Sequence, residues 1–404
     1  MSNRGDSLTI DLPNSVRHLL TVLNEHGYES FIVGGCVRDS LMGRIPYDWD
    51  IATSALPAEI KACFPHTYDT GIEHGTVTVV YGGRNYEITT YRVDGEYEDC
   101  RRPKSVSFTA SLEEDLARRD FTINAMAWHP VLGLADPFGG IKDLENRIIR
   151  GVGDPDLRFK EDALRLLRAI RFSGQLDFIV CPETLAAIKR NTAGLMHISA
   201  ERIRDELTKL LLSPHPERIS LLPETGLLGE SWPLPMKPTE DEIGYSIDIL
   251  KKCPKKVSLV YSVLFYRREP EEAYQAMKAM RFDNALCRET SLLIRWAKVP
   301  VSNQDYAVRK YLSLSGRSYF QGLLTLKRLM ETIDCAILPL INERYERIIE
   351  NGDCLNISDL QINGDDLLNM GLSGKHIGDT LNRLLDLVLH DPALNNKNTL
   401  KHLV

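Results

Sequence analysis

The sequence predicts an α+β fold: an α/β head built on a mixed or antiparallel sheet, followed by all-α domains. Three observations carry this expectation. Strand-like apolar runs at Ser30–Val33, Thr76–Tyr81 and Tyr86–Tyr91 are punctuated by glycine pairs at 34–35 and 82–83, the pattern of strands with at least one hairpin. After about residue 155, apolar residues recur at three- and four-residue spacing in most of Asp162–Phe172, Pro182–Lys189, Ala200–Leu212, Asp241–Lys251, Glu271–Met280 and Lys375–Leu389, as on one face of a helix. At 404 residues the chain also exceeds the roughly 250–300 residues at which a single core stops growing.

The head ends between Asp136-Pro-Phe-Gly-Gly140 and Gly151-Val-Gly-Asp-Pro155, where turn residues separate the mixed from the helical pattern. Prolines at 214, 216, 223, 233, 235 and 238 break the next region into short helices or loops. Asn356–Val404 reads as a separate helical tail. With 43% apolar and 26% charged residues the composition is that of a globular protein. The most apolar stretch, Val257–Tyr266, falls far short of the roughly 20 residues that span a bilayer, and Met1–Asp6 carries no apolar signal core. A cytoplasmic protein is expected. No two of the eight cysteines lie within five positions of each other, so neither zinc nor a disulfide framework is expected. The net charge of -7 means that any RNA binding must rest on local basic surface.

Four segments carry chemistry. In Phe31-Ile-Val-Gly-Gly-Cys-Val-Arg-Asp39 an apolar strand enters a Gly pair and a helix-like segment. Gly35 lets backbone N–H groups approach a phosphate, and Arg38 can reach it with two donors; a tight turn with a salt-bridged arginine is the plain alternative. Asp48-Trp49-Asp50 precedes Ile51, and on a strand both carboxylates point to one face. A carboxylate pair just after a phosphate cradle suits the hard Mg²⁺ ions of phosphoryl transfer. Glu87 is the candidate third carboxylate, with an exposed strand glutamate as the alternative. In Arg118-Arg-Asp-Phe-Thr-Ile-Asn-Ala-Met-Ala127, Arg119 can hold phosphates, while Asp120 and Asn124 can order the sugar or the loop beneath it.

The fourth segment is Phe159-Lys-Glu-Asp-Ala-Leu-Arg-Leu-Leu-Arg-Ala-Ile-Arg-Phe172, where Asp162, Arg165, Arg168 and Arg171 recur every three residues. On one helix this series winds around the axis, so only neighbours share a face and Asp162 and Arg165 form a natural pair. Asp162 can accept from an exocyclic amino group while Arg165 donates to the adjacent ring nitrogen. Cytosine and adenine offer that pattern; uracil and guanine present acceptor to acceptor and donor to donor. A buried salt-bridge ladder is the alternative.

These four segments, in this order, resemble the class II tRNA nucleotidyltransferases, the CCA-adding enzymes related to bacterial poly(A) polymerases. The resemblance covers about residues 28–210, and more weakly Leu360–Asp366 and Gly374–Gly378. It implies a nucleotidyltransferase head (1–147), a neck that reads the base (148–212), a helical body (213–325) and a tRNA-binding tail (326–404). It implies that Asp48 and Asp50 hold the metals, that Gly35, Arg38 and Arg119 bind nucleotide phosphates and sugar, and that Asp162 and Arg165 read the base, supported by Arg168 and Arg171. Addition of C, C and A to the 3′ end of tRNA from CTP and ATP is then expected. Asp94–Pro103 resembles the loop the family needs for the final adenosine. No histidine occurs between residues 216 and 374, where some relatives carry a phosphohydrolase module, so no phosphatase activity is expected. His390-Asp391 reads as surface. The competing readings are an A-adding enzyme, a poly(A) polymerase, and a catalytically silent RNA-binding protein on the same fold.

Overall fold

Seven strands form the sheet that positions the first part of the chain. The computed structural model describes residues 9–95, 97–98, 102–103 and 106–404. Strands β1 (Ser30–Val33), β2 (Ile51–Thr53), β3 (Thr67–Gly71), β4 (Thr76–Tyr81) and β5 (Arg84–Thr90) join Ala127–His129 and Gly133–Ala135. Across the sheet the order is Gly133–Ala135, Ala127–His129, β1, β2, β5, β4, β3. Only β2 and β5 run parallel, Ile51 opposite Ile88, so the sheet is mixed. The hairpin expected at Gly82-Gly83 joins β4 to β5; both glycines have positive φ, 58° and 75°, which a two-residue turn of this kind requires.

Each face of the sheet buries a core, which is why β1 is buried throughout. Helices α1 (Asn14–Glu25), α2 (Gly35–Leu41) and α3 (Pro57–Cys63) lend residues such as Leu19, Val37 and Ile60 to one core, with Ile32, Ile51 and Ile88 from the strands. The residues that alternate with these, Phe31, Val33 and Ala52, join Leu116 of α4 (Leu112–Ala117) on the other face. Beyond the sheet come α5 (Gly140–Glu145), α6 (Pro155–Glu161), α7 (Leu164–Leu176), α8 (Pro182–Arg190) and α9 (Ala200–Leu211). The helix expected over Asp162–Phe172 begins later, at Leu164. Asp162 has φ −137° and ψ 102°, outside the helical region, and its carboxylate accepts the Leu164 N–H at 3.0 Å, so it closes the start of α7 instead of riding on it.

The chain divides into two compact units, Met1–Glu240 and Asp241–Val404. The second consists of helices, among them Asn284–Ala297, Asp305–Ser315, Phe320–Leu329 and Lys375–His390. Its C-terminal part is not a free-standing tail: buried Arg309 joins Asp353 at 2.6 Å and the Leu389 carbonyl at 3.1 Å. His390 stacks on Tyr306 with ring centroids 3.4 Å apart, while its own ring stays exposed. No described helix is long and apolar enough to cross a membrane.

Candidate active site

A cleft of about 770 Å³ opens in the first unit, and eleven of the twelve sequence-expected site residues line it: Gly35, Arg38, Asp48, Asp50, Arg119, Asp120, Asn124, Asp162, Arg165, Arg168 and Arg171. Glu87 does not. It lines a neighbouring cleft of about 980 Å³ that shares Asp48 and Asp50 with the first. Among charged lining residues of the first cleft, eight arginines and Lys209 face four aspartates, so this is strongly basic surface on an acidic chain.

The carboxylates come from the approach to β2. That strand begins at Ile51, so Asp48 and Asp50 precede it, correcting their expected place within a strand. Alternation nonetheless holds: Trp49 packs against the core, and the two aspartates are exposed. Neither carboxylate has a hydrogen-bond or salt-bridge partner among the described residues, although the Asp50 carbonyl accepts the Val33 N–H at 3.0 Å. Asp50 opens to the cleft with protein on its other sides; desolvation raises its pKa, the Arg119 charge pulls it back, and Glu87 and Asp48 push it up again. The register that sets Ile51 opposite Ile88 explains the influence of Glu87. Unpaired carboxylates that repel one another fit a divalent cation, which would relieve that repulsion. Three candidate ligands close enough to form a complete metal cage do not occur among the described residues.

The phosphate-binding candidates sit opposite. Gly34, with φ 78°, takes a left-handed conformation that strains other residues, and a Cβ there would lie 2.9 Å from Arg119 Nη1, so that side chain would have to shift. Close packing of Arg119 on the glycine turn is thus written into the motif. Arg38, buried at the end of the first turn of α2, donates to Asp39 at 2.9 Å and to Asn124 Oδ1 at 2.5 Å. Asn124 in turn donates to Asp120 at 3.0 Å, and Asp120 accepts from Arg168 Nε at 2.8 Å. Burial alone would raise the Asp120 pKa, but Arg168, Asn124 and Arg165 outweigh it and hold the carboxyl down to about 2. Asp120 and Asn124 therefore order the loop and the arginines. Phe172 supports the same wall: the guanidiniums of Arg171, Arg38 and Arg168 lie 3.9, 5.2 and 5.2 Å from its ring centre, a cation–π arrangement.

Asp162 and Arg165 both face the cleft but do not bond to each other. Asp162 accepts from Arg202 at 2.8 and 3.3 Å, whereas Arg165 donates to Glu161 at 2.7 Å and to the carbonyls of Arg158 and Arg118. Sequence reasoning missed Arg202 and two further residues. Glu206 holds Arg171 at 2.5 Å, and both it and Arg202 ride on α9. Asp115 holds Arg118 and Arg119 at 2.8 and 3.0 Å; burial would raise its pKa, and the two arginines bring it below the ordinary carboxylate value. The four-residue step from Arg202 to Glu206 beside the apolar stripe of α9 was the available signal. Within Asp94–Pro103, residues 96 and 99–101 lie outside the described residues.

Residues 30–150 match the poly A polymerase head domain family, and residues 177–234 match its probable RNA and SrmB-binding site. A CCA-adding enzyme of Pediococcus pentosaceus is 37% identical over 96% of this chain and 96% of its own length. The chain belongs to the CCA-adding enzyme family. A family member from Geobacillus thermodenitrificans is 55% identical over 210 residues, so this chain spans about half the length of that relative. The solved structure of the Bacillus stearothermophilus CCA-adding enzyme in complex with CTP shares 32% identity and a TM-score of 0.81, covering 95% of this chain and 94% of that one. The mixed sheet followed by helices is thus the family's fold.

Proposed function

We propose that this chain adds C, C and A, without a template, to the 3′ end of tRNA from CTP and ATP. The observation that carries the reading is the single cleft in which the carboxylate pair, the arginine wall and the Asp162–Arg165 segment converge, together with family membership. The relative solved with CTP supports a nucleotide as occupant. The division into head (1–147), neck (148–212), body (213–325) and tail (326–404), with the tail on tRNA, belongs to the same proposal.

Asp48 and Asp50 would hold Mg²⁺, with Glu87 as an added carboxylate. Bound there, the ion supplies charge neutralisation at the triphosphate and acidifies the attacking 3′-hydroxyl. Arg38 and Arg119 take the phosphates, with the Gly35 backbone beside them. Arg119 is suited to this, because its Nε is buried without a partner and one terminal nitrogen is anchored on Asp115. Arg168 and Arg171, fixed by Asp120 and Glu206, supply positive charge that needs no rearrangement when phosphates arrive. Asp162, held in orientation by Arg202, and Arg165 read the Watson–Crick edge.

The test is extension of a tRNA lacking its terminal CCA, with Mg²⁺ and CTP alone, ATP alone, or both. Two additions with CTP and a third only with both nucleotides are expected, and Asp48→Ala abolishes them while tRNA binding persists. Addition of A alone, or an unlimited A tail, would transfer the reading to A-adding enzymes or poly(A) polymerases; no addition by the wild-type chain would revive the silent RNA-binding protein.

A further inference from the structure

The second cleft has the features of a site for single-stranded RNA. It meets the first cleft at Asp48 and Asp50 and extends away from it past Glu87, Tyr47 and Tyr68. Tyr47 is 97% exposed and Tyr68 63%, and neither ring stacks on a described aromatic residue. This is not the ordinary fate of a tyrosine, whose ring normally gains by burial. The contrast with their neighbours is informative. Trp49 is held against the core, and Tyr86, on the same cleft, is buried and donates its hydroxyl to Ser15 at 2.7 Å. Arg84, also on this cleft, is exposed and has no ion-pair partner among the described residues.

Phosphoryl transfer proceeds roughly in line, so the attacking and leaving oxygens lie on opposite sides of the reacting phosphorus. The arginine wall, which suits the leaving pyrophosphate, belongs entirely to the first cleft. With the carboxylates shared between the clefts, the attacking hydroxyl must approach from the other one. We propose that the second cleft seats the last nucleotides of the acceptor RNA, their bases stacked on Tyr47 and Tyr68 and a phosphate on Arg84. Aromatic faces with a nearby cation bind single strands of any sequence, since every base presents a π-face. Such tolerance is needed here: the 3′-terminal residue changes after each addition, while the site does not. This inference rests on the function proposed above.

The experiment compares wild type with Tyr47→Ala, Tyr68→Ala and Tyr47→Phe in steady-state extension of tRNA lacking CCA. Each alanine variant should raise the KM for tRNA about tenfold, the loss of one base stack, with the KM for CTP unchanged, and Tyr47→Phe should behave as wild type. A second readout needs no turnover: a short RNA ending in 2-aminopurine should be quenched on binding wild type and lose that quenching with Tyr47→Ala. Unchanged KM for tRNA and unchanged quenching in both alanine variants overturn the inference while leaving the proposed function intact. A rise in the KM for CTP that matches the rise for tRNA also overturns it, since the tyrosines would then serve the nucleotide cleft. Failure of the wild-type chain to extend tRNA would strike the proposed function itself.

Discussion

At the scale of single residues, the candidate site is a set of charges held by partners that themselves never need to touch a ligand. Arg202 is the sharpest case. Its two hydrogen bonds fix the orientation of the Asp162 carboxylate, the group proposed to accept from the exocyclic amine. Arg202→Ala should therefore raise misincorporation of UMP and GMP relative to CMP by roughly tenfold, the lower end expected for losing hydrogen bonds to a charged group, with partial rescue by Arg202→Lys. Equal losses with all four nucleotides would reduce Arg202 to a structural role. The groups placed on the cleft were readable from local sequence, because glycine pairs, Asp-x-Asp and the arginine series advertise themselves over a few positions. The step from Arg202 to Glu206 marks α9, but which groups they hold was not readable: Arg202 lies forty residues from Asp162 and Glu206 thirty-five from Arg171, and no periodicity spans such a gap.

At the scale of elements, strands and long helices followed the apolar pattern closely, and the errors fell at ends. A three-residue polar step predicts that Asp162 rides on the helix, although an aspartate followed by an apolar run is also a helix-start signal; the structure takes that second option, with Asp162 ahead of α7. The second unit holds a comparable device at a helix end. Lys327, wholly buried on Phe320–Leu329, donates to the carbonyls of Ala297 and Val299, closing the end of Asn284–Ala297. Burial lowers its pKa to about 8 from 10.5. The unfolded chain therefore binds more protons than the folded one between those values, and stability rises with pH across that window. Urea unfolding followed from pH 7 upward should show stability climbing by at most about 1.4 kcal/mol per pH unit above pH 8. Lys327→Met should flatten that slope, and a slope that persists in the variant would assign it to another group.

For the whole molecule, charge and its placement tell different stories. A net charge of -7 argues against broad attraction to RNA, yet the basic residues of the cleft are concentrated where the chemistry is proposed. Binding of tRNA should then depend steeply on salt despite the acidic total, each single-strand phosphate contact adding about 0.7 to the log–log slope; a flat response would show that the basic surface is not used. The sequence reads Asn356–Val404 as standing apart, whereas the second compact unit runs through it to Val404. Arg309, forty-four residues from Asp353 and eighty from Leu389, ties it into the second unit through contacts that leave no local pattern. The ring of Phe172, with three guanidiniums gathered around it, has a consequence for the direction of the reaction. Cations packed in place before any substrate arrives grip the departing pyrophosphate as firmly as the incoming triphosphate. Turnover is then tied to letting the product go, and an excess of inorganic pyrophosphate would run the proposed chemistry backward and shorten finished ends.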